Sequence, residues 1–235
     1  MITPSAIILA GGLGTRLRAV VPHLPKPMAP INGRPFLEYQ LDYWIAQGVR
    51  HFILSVGYKR NIIIKHFGRQ YREAQIEYAV EETPLGTGGA LLLALQVLQP
   101  EQPFLVLNGD TFFGVQLQAL QRYHAATRSE WTIAMFQSES FGRYGMIECT
   151  AEGRVEHFSS SKAKLGELAN GGVYFISPAA LSLLERCAAT VISLEEHLLP
   201  NFLAQGGRCY GMPCYENFID YGVPEDYIRI TQMLR

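Results

Sequence analysis

The sequence predicts an α/β fold with a mixed, mainly parallel central sheet, on three observations. Short, continuous apolar runs stand at "SAIILA" (5–10), "HFILSV" (51–56) and "PFLVLN" (103–108). Runs that are apolar at every position suit strands covered by helices on both faces. Helix-like segments separate these runs, and strand alternating with helix is the pattern of α/β proteins. In the second half, "WTIAMFQ" (131–137), "GMIECT" (145–150), "GRVEHFS" (153–159) and "NGGVYFIS" (170–177) follow in quick succession, which predicts more antiparallel pairing there.

The helices follow in order. "PFLEYQLDYWIAQG" opens at Pro35 and closes at Gly48, the usual asymmetry of proline at the first turn and glycine past the last. "GGALLLALQVLQ" (88–99) and "QLQALQRYHAAT" (116–127) are the next candidates. "SLEEHLLPNFLAQGG" sets Ser193 and Glu196 at capping-box spacing. "EDYIRITQML" is expected to be a C-terminal helix. With no repeat, low-complexity tract or linker, residues 1–235 are expected to form a single domain.

Of the 235 residues, 48% are hydrophobic and 17% charged, and the net charge is −1. That composition allows a sizeable core and excludes a disordered chain. The lack of a charge block argues against nucleic acid or a membrane surface as partner. Cys149, Cys187, Cys209 and Cys214 form no Cys-x-x-Cys pair, and they read as reduced thiols of a cytoplasmic protein. The N-terminus lacks the charged region of a signal peptide. No segment reaches the roughly 18 apolar residues of a membrane helix.

The chemistry-bearing stretch is "ILAGGLGTRLRAVVPHLPKPMAP" (8–30). Glycines directly after a buried strand let backbone N–H groups approach an anion with no Cβ in the way. The dinucleotide fingerprint fails, because Leu17 stands where the third glycine should be, and no glycine is followed by lysine as in a P-loop. A plain glycine turn with solvated arginines stays open on spacing alone. Lys26, between Pro25 and Pro27, is expected in an extended segment that holds its charge rigidly.

"LAGGLGTRL…PKPM" resembles the signature of sugar-1-phosphate nucleotidyltransferases. "PFLEYQLDYWIAQGV", "EETPLGTGGAL", "LVLNGDTFF", "NGGVYFIS", "SLEEHLLP" and "FIDYGVPEDY" are similar to further motifs of that family, in order. "LPKPMAPINGRPFLEY", "EETPLGTGGA" and "NGDTFF" together look most like its branch of heptose 1-phosphate guanylyltransferases. The resemblance implies a Rossmann-like three-layer sandwich of the nucleotide-diphospho-sugar transferase type. It also implies an enzyme that joins a nucleoside triphosphate, GTP favoured, to a sugar 1-phosphate and releases pyrophosphate. Such activated sugars feed cell-surface polysaccharides. A mannose-1-phosphate guanylyltransferase and a uridylyltransferase of the muramate-phosphate type are the alternatives within the class. A non-catalytic nucleotide-binding module and a dinucleotide-dependent oxidoreductase are those outside it. Homo-oligomerisation stays open.

The resemblance also assigns residues. Arg16 would grip the β- and γ-phosphates, and Lys26 would meet charge around the α-phosphate and the attacking phosphate. Leu9, Gly11, Gly12, Gly14, Thr15, Glu81, Gly86 and Thr87 would hold the nucleotide. Gly86, Gly88 and Gly89 would let a flat base lie on the backbone, with a helix following from Ala90. Glu81 can accept from the two adjacent donors of guanine, whereas uracil offers one ring donor. A surface acid pair is the other reading of Glu81 and Glu82. Asp110 and Asp220, each following an apolar stretch, would hold Mg²⁺, which prefers oxygen ligands and substrate phosphates. Gly145, Lys162 and Asn170 would form the sugar side, although "FSSSKAK" replaces the Glu-Lys-Pro that many relatives carry.

Overall fold

The computed structural model describes residues 3–12, 14, 17, 21–138, 144–184, 191–222 and 224–233, with the backbone alone for 159–162, 224 and 225. The central sheet is built on four parallel strands, β1 (Ala6–Leu9), β4 (His51–Val56), β6 (Ala74–Val80) and β7 (Phe104–Asn108), in the order β6-β4-β1-β7. The small strands β2 (Pro30–Ile31) and β3 (Arg34–Pro35) form a separate ribbon, and β5 (Gln70–Tyr71) closes one edge of the sheet. Beyond β7 the sheet turns mixed. β12 (Leu168–Ile176) runs antiparallel to β7 and to β9 (Trp131–Gln137), and β13 (Cys209–Cys214) lies parallel to β9. β10 (Gly145–Cys149) and β11 (Val155–Lys162) extend from the start of β12. A further ribbon pairs β8 (Thr111–Phe113) with β14 (Phe218–Asp220).

The continuous apolar runs are explained by two helical layers. Along β1, Ala6 and Ile8 face one core while Ile7 faces the other; along β7, Leu105 and Leu107 part in the same way from Phe104 and Val106. The first layer holds α1 (Phe36–Ala46), α2 (Arg60–Phe67) and α4 (Leu117–Ala126). The second holds α3 (Gly86–Leu98) and α5 (Leu199–Ala204). Ser193 caps the turn that leads into α5, its Oγ accepting from Glu196 N. A third, smaller core of Leu17, Ala29, Ile31, Phe36, Ile219, Tyr221 and Ile230 ties α6 (Pro224–Met233) to the glycine loop and the lysine segment.

Two expectations are corrected, and the sheet strands β6 and β13 lie outside those expected from the sequence. The helix expected from Ala90 begins at Gly86. Lys26 is not extended: it opens a 3-10 turn, Lys26–Met28, behind the extended Pro25. β13 carries Gly211 and Pro213 and went unread as a strand, since neither residue favours one. It is tolerated because β13 pairs in a ladder with β9 alone, so Pro213 interrupts no second ladder.

Of the thiols, Cys149, Cys209 and Cys214 are free, and Cys187 lies outside the described residues. Burial pushes Cys149 up to about 11 and Cys214 to about 12, so both are neutral thiols. His124 is buried between Thr132 and Ser177, and burial lowers its pKa to about 4. The unfolded imidazole protonates near pH 6.5. The stability contributed by the neutral ring is therefore complete above that pH and is lost as the pH falls toward 4. Urea midpoints between pH 7 and pH 4.5 are expected to fall less steeply for His124→Asn than for the wild type. Parallel curves would mean that His124 is not the group that titrates.

Candidate active site

The site lies at the carboxyl ends of β1 and β7. The chain runs from β1 to β4 and β6 on one side and then crosses back to β7 on the other side of β1, and in open α/β sheets ligands bind at such a switch point. A cavity of about 390 Å³ opens there. Leu9, Gly11, Gly12, Gly14, Lys26, Glu81, Gly86, Thr87 and Asp110 all line it. Thr15 and Arg16 lie outside the described residues.

Two of the loop glycines make room for side chains of the site. A Cβ on Gly11 would collide with the Glu81 carboxylate. Gly14 has φ +56°, and a Cβ there would lie 2.8 Å from Lys26 Cβ. The glycine loop and the lysine turn thus pack directly on one another.

Lys26 Nζ donates to Asp110 Oδ2 at 2.7 Å and lies 3.7 Å from Asp220 Oδ1. The two carboxylates, distant in sequence, meet because the β8–β14 ribbon sets Asp220 opposite Thr111. Asp220 Oδ1 also accepts from Gly222 N at 2.7 Å. Tyr221 lies beneath: its OH donates to Lys26 O at 2.8 Å, and its ring lies 5.0 Å from Nζ. Burial, reinforced by the charges of Asp110 and Asp220, holds the Tyr221 phenol well above its ordinary pKa.

Glu81 and Glu82 part company. Glu81 is only 8% exposed; Oε1 accepts from Ser55 Oγ at 3.1 Å and Oε2 from Leu85 N at 3.2 Å. Glu82 points outward and pairs with Arg60. Gly88 and Gly89, expected to make room for a base, have a packing role in this structure. They lie in the first turn of α3, where both N–H groups donate to Ile192 O and a Cβ on Gly88 would crowd Ile192 and Leu198. Their small size lets the 192–198 segment dock on the helix.

Of the sugar-side residues, Gly145 and Asn170 lie outside the lining of this cavity. The β10–β11 register sets Gly145 opposite Lys162, whose side chain lies outside the description. Asn170 uses its amide within β12, donating to Tyr174 OH at 2.6 Å and accepting from Gly172 N at 3.0 Å. A second cleft, of about 600 Å³, runs from Tyr144 and Gly166 past Glu216 and Asn217 to Asp220.

Two polar groups of this region were assigned no role from the sequence. Gln40 of α1 is buried against the turn that presents Asp110. Glu195 accepts from Thr87 Oγ1 at 3.2 Å and from Tyr174 OH at 3.3 Å, so it links the nucleotide cavity to Asn170. Glu195 sits inside "SLEEHLLP" and Gln40 inside "PFLEYQLDYWIAQGV", and those motifs were the available signal. Three histidines hold local structure: His51 binds Ser5 and Glu77, His66 binds Glu38, and His197 accepts from Ser193 N.

A lysine bracketed by two carboxylates, beside a glycine loop at a sheet switch point, belongs to a protein that handles phosphate esters of nucleotides. The chain matches the nucleotidyl transferase family over residues 5–235 and belongs to it. It is 39% identical over 222 residues to the D-glycero-alpha-D-manno-heptose 1-phosphate guanylyltransferase of Campylobacter jejuni, covering 94% of this chain and 96% of that one. The enzyme of the same name from Aneurinibacillus thermoaerophilus is 39% identical over 233 residues, covering 98% of each. Mannose-1-phosphate guanyltransferase beta-B of Xenopus laevis is 32% identical over 95% of this chain, which spans 62% of that protein. Among solved structures, HddC from Yersinia pseudotuberculosis superposes with a TM-score of 0.84 at 30% identity, over 99% of this chain and 100% of that one. It has also been solved in complex with GMP-PN. Among the described residues no helix is long and apolar enough to cross a membrane.

Proposed function

We propose that the chain transfers GMP from GTP to D-glycero-D-manno-heptose 1-phosphate, forming GDP-heptose and pyrophosphate. The observation that carries this reading is the meeting of two cavities at one charged cluster. Lys26 and Asp110 line the first and Asp220 the second, with Lys26 Nζ 3.7 Å from Asp220 Oδ1. An enzyme that joins two phosphorylated substrates needs such a junction, because its task is to align two anions and neutralise the charge that develops.

In this reading the triphosphate lies in the first cavity, along the Gly11–Gly14 loop. Arg16 holds its β- and γ-phosphates. The sugar phosphate enters from the second cleft, toward Gly145 and Lys162. One of its oxygens attacks the α-phosphorus as the bond from that phosphorus to the β-bridging oxygen breaks, and the electron pair leaves with pyrophosphate. Lys26 lies between the reactants and meets the charge on the phosphoryl oxygens.

Asp110 and Asp220 fit a divalent cation, Mg²⁺ by preference. The two carboxylates converge on Lys26 Nζ, at 2.7 and 3.7 Å, and Mg²⁺ binds through one or two carboxylates and takes the rest from phosphates and water. When bound, the cation screens the phosphates and draws charge off the reacting phosphoryl group.

Pyrophosphate release, measured with each NTP against a panel of sugar 1-phosphates, tests the proposal. The highest kcat/KM is expected for GTP with the heptose phosphate. Mannose 1-phosphate as the best acceptor would support the second reading, which the Xenopus relative favours. No release with any pair would leave a binding module.

Glu81 is proposed as the reader of guanine. Glu81→Gln keeps one acceptor but sets an NH₂ group against a guanine donor. Unpaired buried donors are costly, so kcat/KM with GTP is expected to fall by at least about tenfold relative to UTP. Glu82→Gln is the adjacent control, and its ratio is expected to stay put. A shift confined to Glu82→Gln would move the base reader by one residue.

A further inference from the structure

Asp110 sits on a tight turn, Asn108 to Thr111, whose geometry decides where its carboxylate points. That turn is held from outside. Gln40, 4% exposed in the middle of α1, donates from the single nitrogen Nε2 to Asn108 O at 2.8 Å and to Thr111 O at 2.6 Å. Both protons of one amide are used, one on each side of the Gly109–Asp110 pair. On the far side Gly109 N donates to Leu9 O at 3.0 Å, with no room there for a Cβ. The turn is thus clamped between α1 and β1.

The orientation of this amide follows from chemistry. Carbonyls only accept, so a flipped Gln40 would set three acceptor oxygens against one another. The clamp also comes at a cost, since Gln40 Oε1 is buried and has no partner among the described residues. An unsatisfied buried acceptor is disfavoured unless the other half of the group is needed. Apolar neighbours of Gln40 on α1, Leu37, Leu41 and Trp44, are buried in the core. A leucine at position 40 would suit such surroundings better if packing were the only demand.

We infer that Gln40 is a positioning residue for Asp110: it sets the direction of the metal-holding carboxylate from α1 and touches neither substrate. This rests on the reading of Asp110 as a metal ligand. Outer partners of metal ligands are typically worth about 10–100-fold in metal affinity.

The test compares Gln40→Met, which keeps the length and loses both donors, with Gln40→Glu, which keeps the shape and can donate to one carbonyl at most. Gln47→Met is the structural control, because Gln47 clamps the neighbouring segment through Val115 O and Leu117 N without reaching the Asp110 turn. Mn²⁺ affinity is read by EPR titration in the presence of a non-hydrolysable GTP analogue. Mg²⁺ half-saturation is read from pyrophosphate release. Both Gln40 variants are expected to weaken Mn²⁺ binding about 10–100-fold, and excess Mg²⁺ is expected to restore most of the turnover. Gln47→Met is expected to lower the unfolding midpoint and leave metal affinity within about twofold of wild type. Should Gln40→Met fail to fold, Gln40→Glu decides. Wild-type Mn²⁺ affinity in a folded Gln40 variant, or an equal loss in Gln47→Met, overturns the inference. Asp110→Asn is titrated alongside: if it binds Mn²⁺ normally, the metal reading of Asp110 fails instead.

Discussion

Lys26→Ala is expected to lower turnover by about 10²–10³-fold, the usual cost of removing one preorganised electrostatic contact to developing charge. The lysine is well placed for such an effect. Its side chain is 9% exposed, so solvent screens it weakly, and its backbone is fixed by Tyr221 OH on Lys26 O at 2.8 Å. Its turn begins behind Pro25 and packs on Gly14. The ammonium therefore pays little ordering entropy when substrates arrive. The fold should survive, since Asp110 is nearly half exposed and can be solvated once its partner is gone. Single-turnover pyrophosphate release, with circular dichroism to check the fold, measures the effect. Near wild-type turnover in a folded Lys26→Ala protein would remove the role assigned to this residue.

Asp110→Asn and Asp220→Asn are expected to cost at least about 100-fold each in activity at limiting Mg²⁺. The scale comes from outer-shell partners, whose loss already costs about 10–100-fold, and a direct carboxylate ligand should exceed it. Asparagine keeps the shape and one acceptor. The Gly222 N–H that donates to Asp220 Oδ1 at 2.7 Å can still be satisfied in Asp220→Asn, and the Lys26 ammonium can still donate in Asp110→Asn. What is lost is the negative charge that a hard cation requires. Activity as a function of Mg²⁺ concentration separates this from misfolding, since a weakened site is partly recovered by excess cation. Two variants with normal activity and normal Mg²⁺ half-saturation would place the metal elsewhere.

Much of this site was legible because its parts are local. The glycine loop, the lysine between prolines, and the acids after "LVLNG" and "FI" each announce themselves within a few residues. So do β1 and β7, whose unbroken apolar runs follow from burial on both faces. β13 was not legible, because Gly211 and Pro213 are poor strand formers that an edge position forgives. The packing role of Gly88 and Gly89 was not legible either. Glycines near a phosphate motif look alike whether they clear space for a ligand or for Ile192 and Leu198. The partners of Gln40 and Glu195 were unreadable for a related reason. A single polar residue in a helix declares its partners only once the facing loop is in place.

From the sequence alone came the α/β class, the strands β1, β4 and β7 with the helices α1, α3 and α4, and the residue types able to handle phosphate. Periodicity and local backbone chemistry are enough for those. Which of these residues meet depends on the assembled sheet. Asp110 and Asp220 face one lysine because β14 pairs antiparallel with β8 and brings Asp220 opposite Thr111. Glu81 is buried beside Gly11 because β6 pairs parallel with β4 and ends level with the loop after β1. Such meetings rest on hydrogen-bonded register between segments remote in sequence, and no local signal encodes that register.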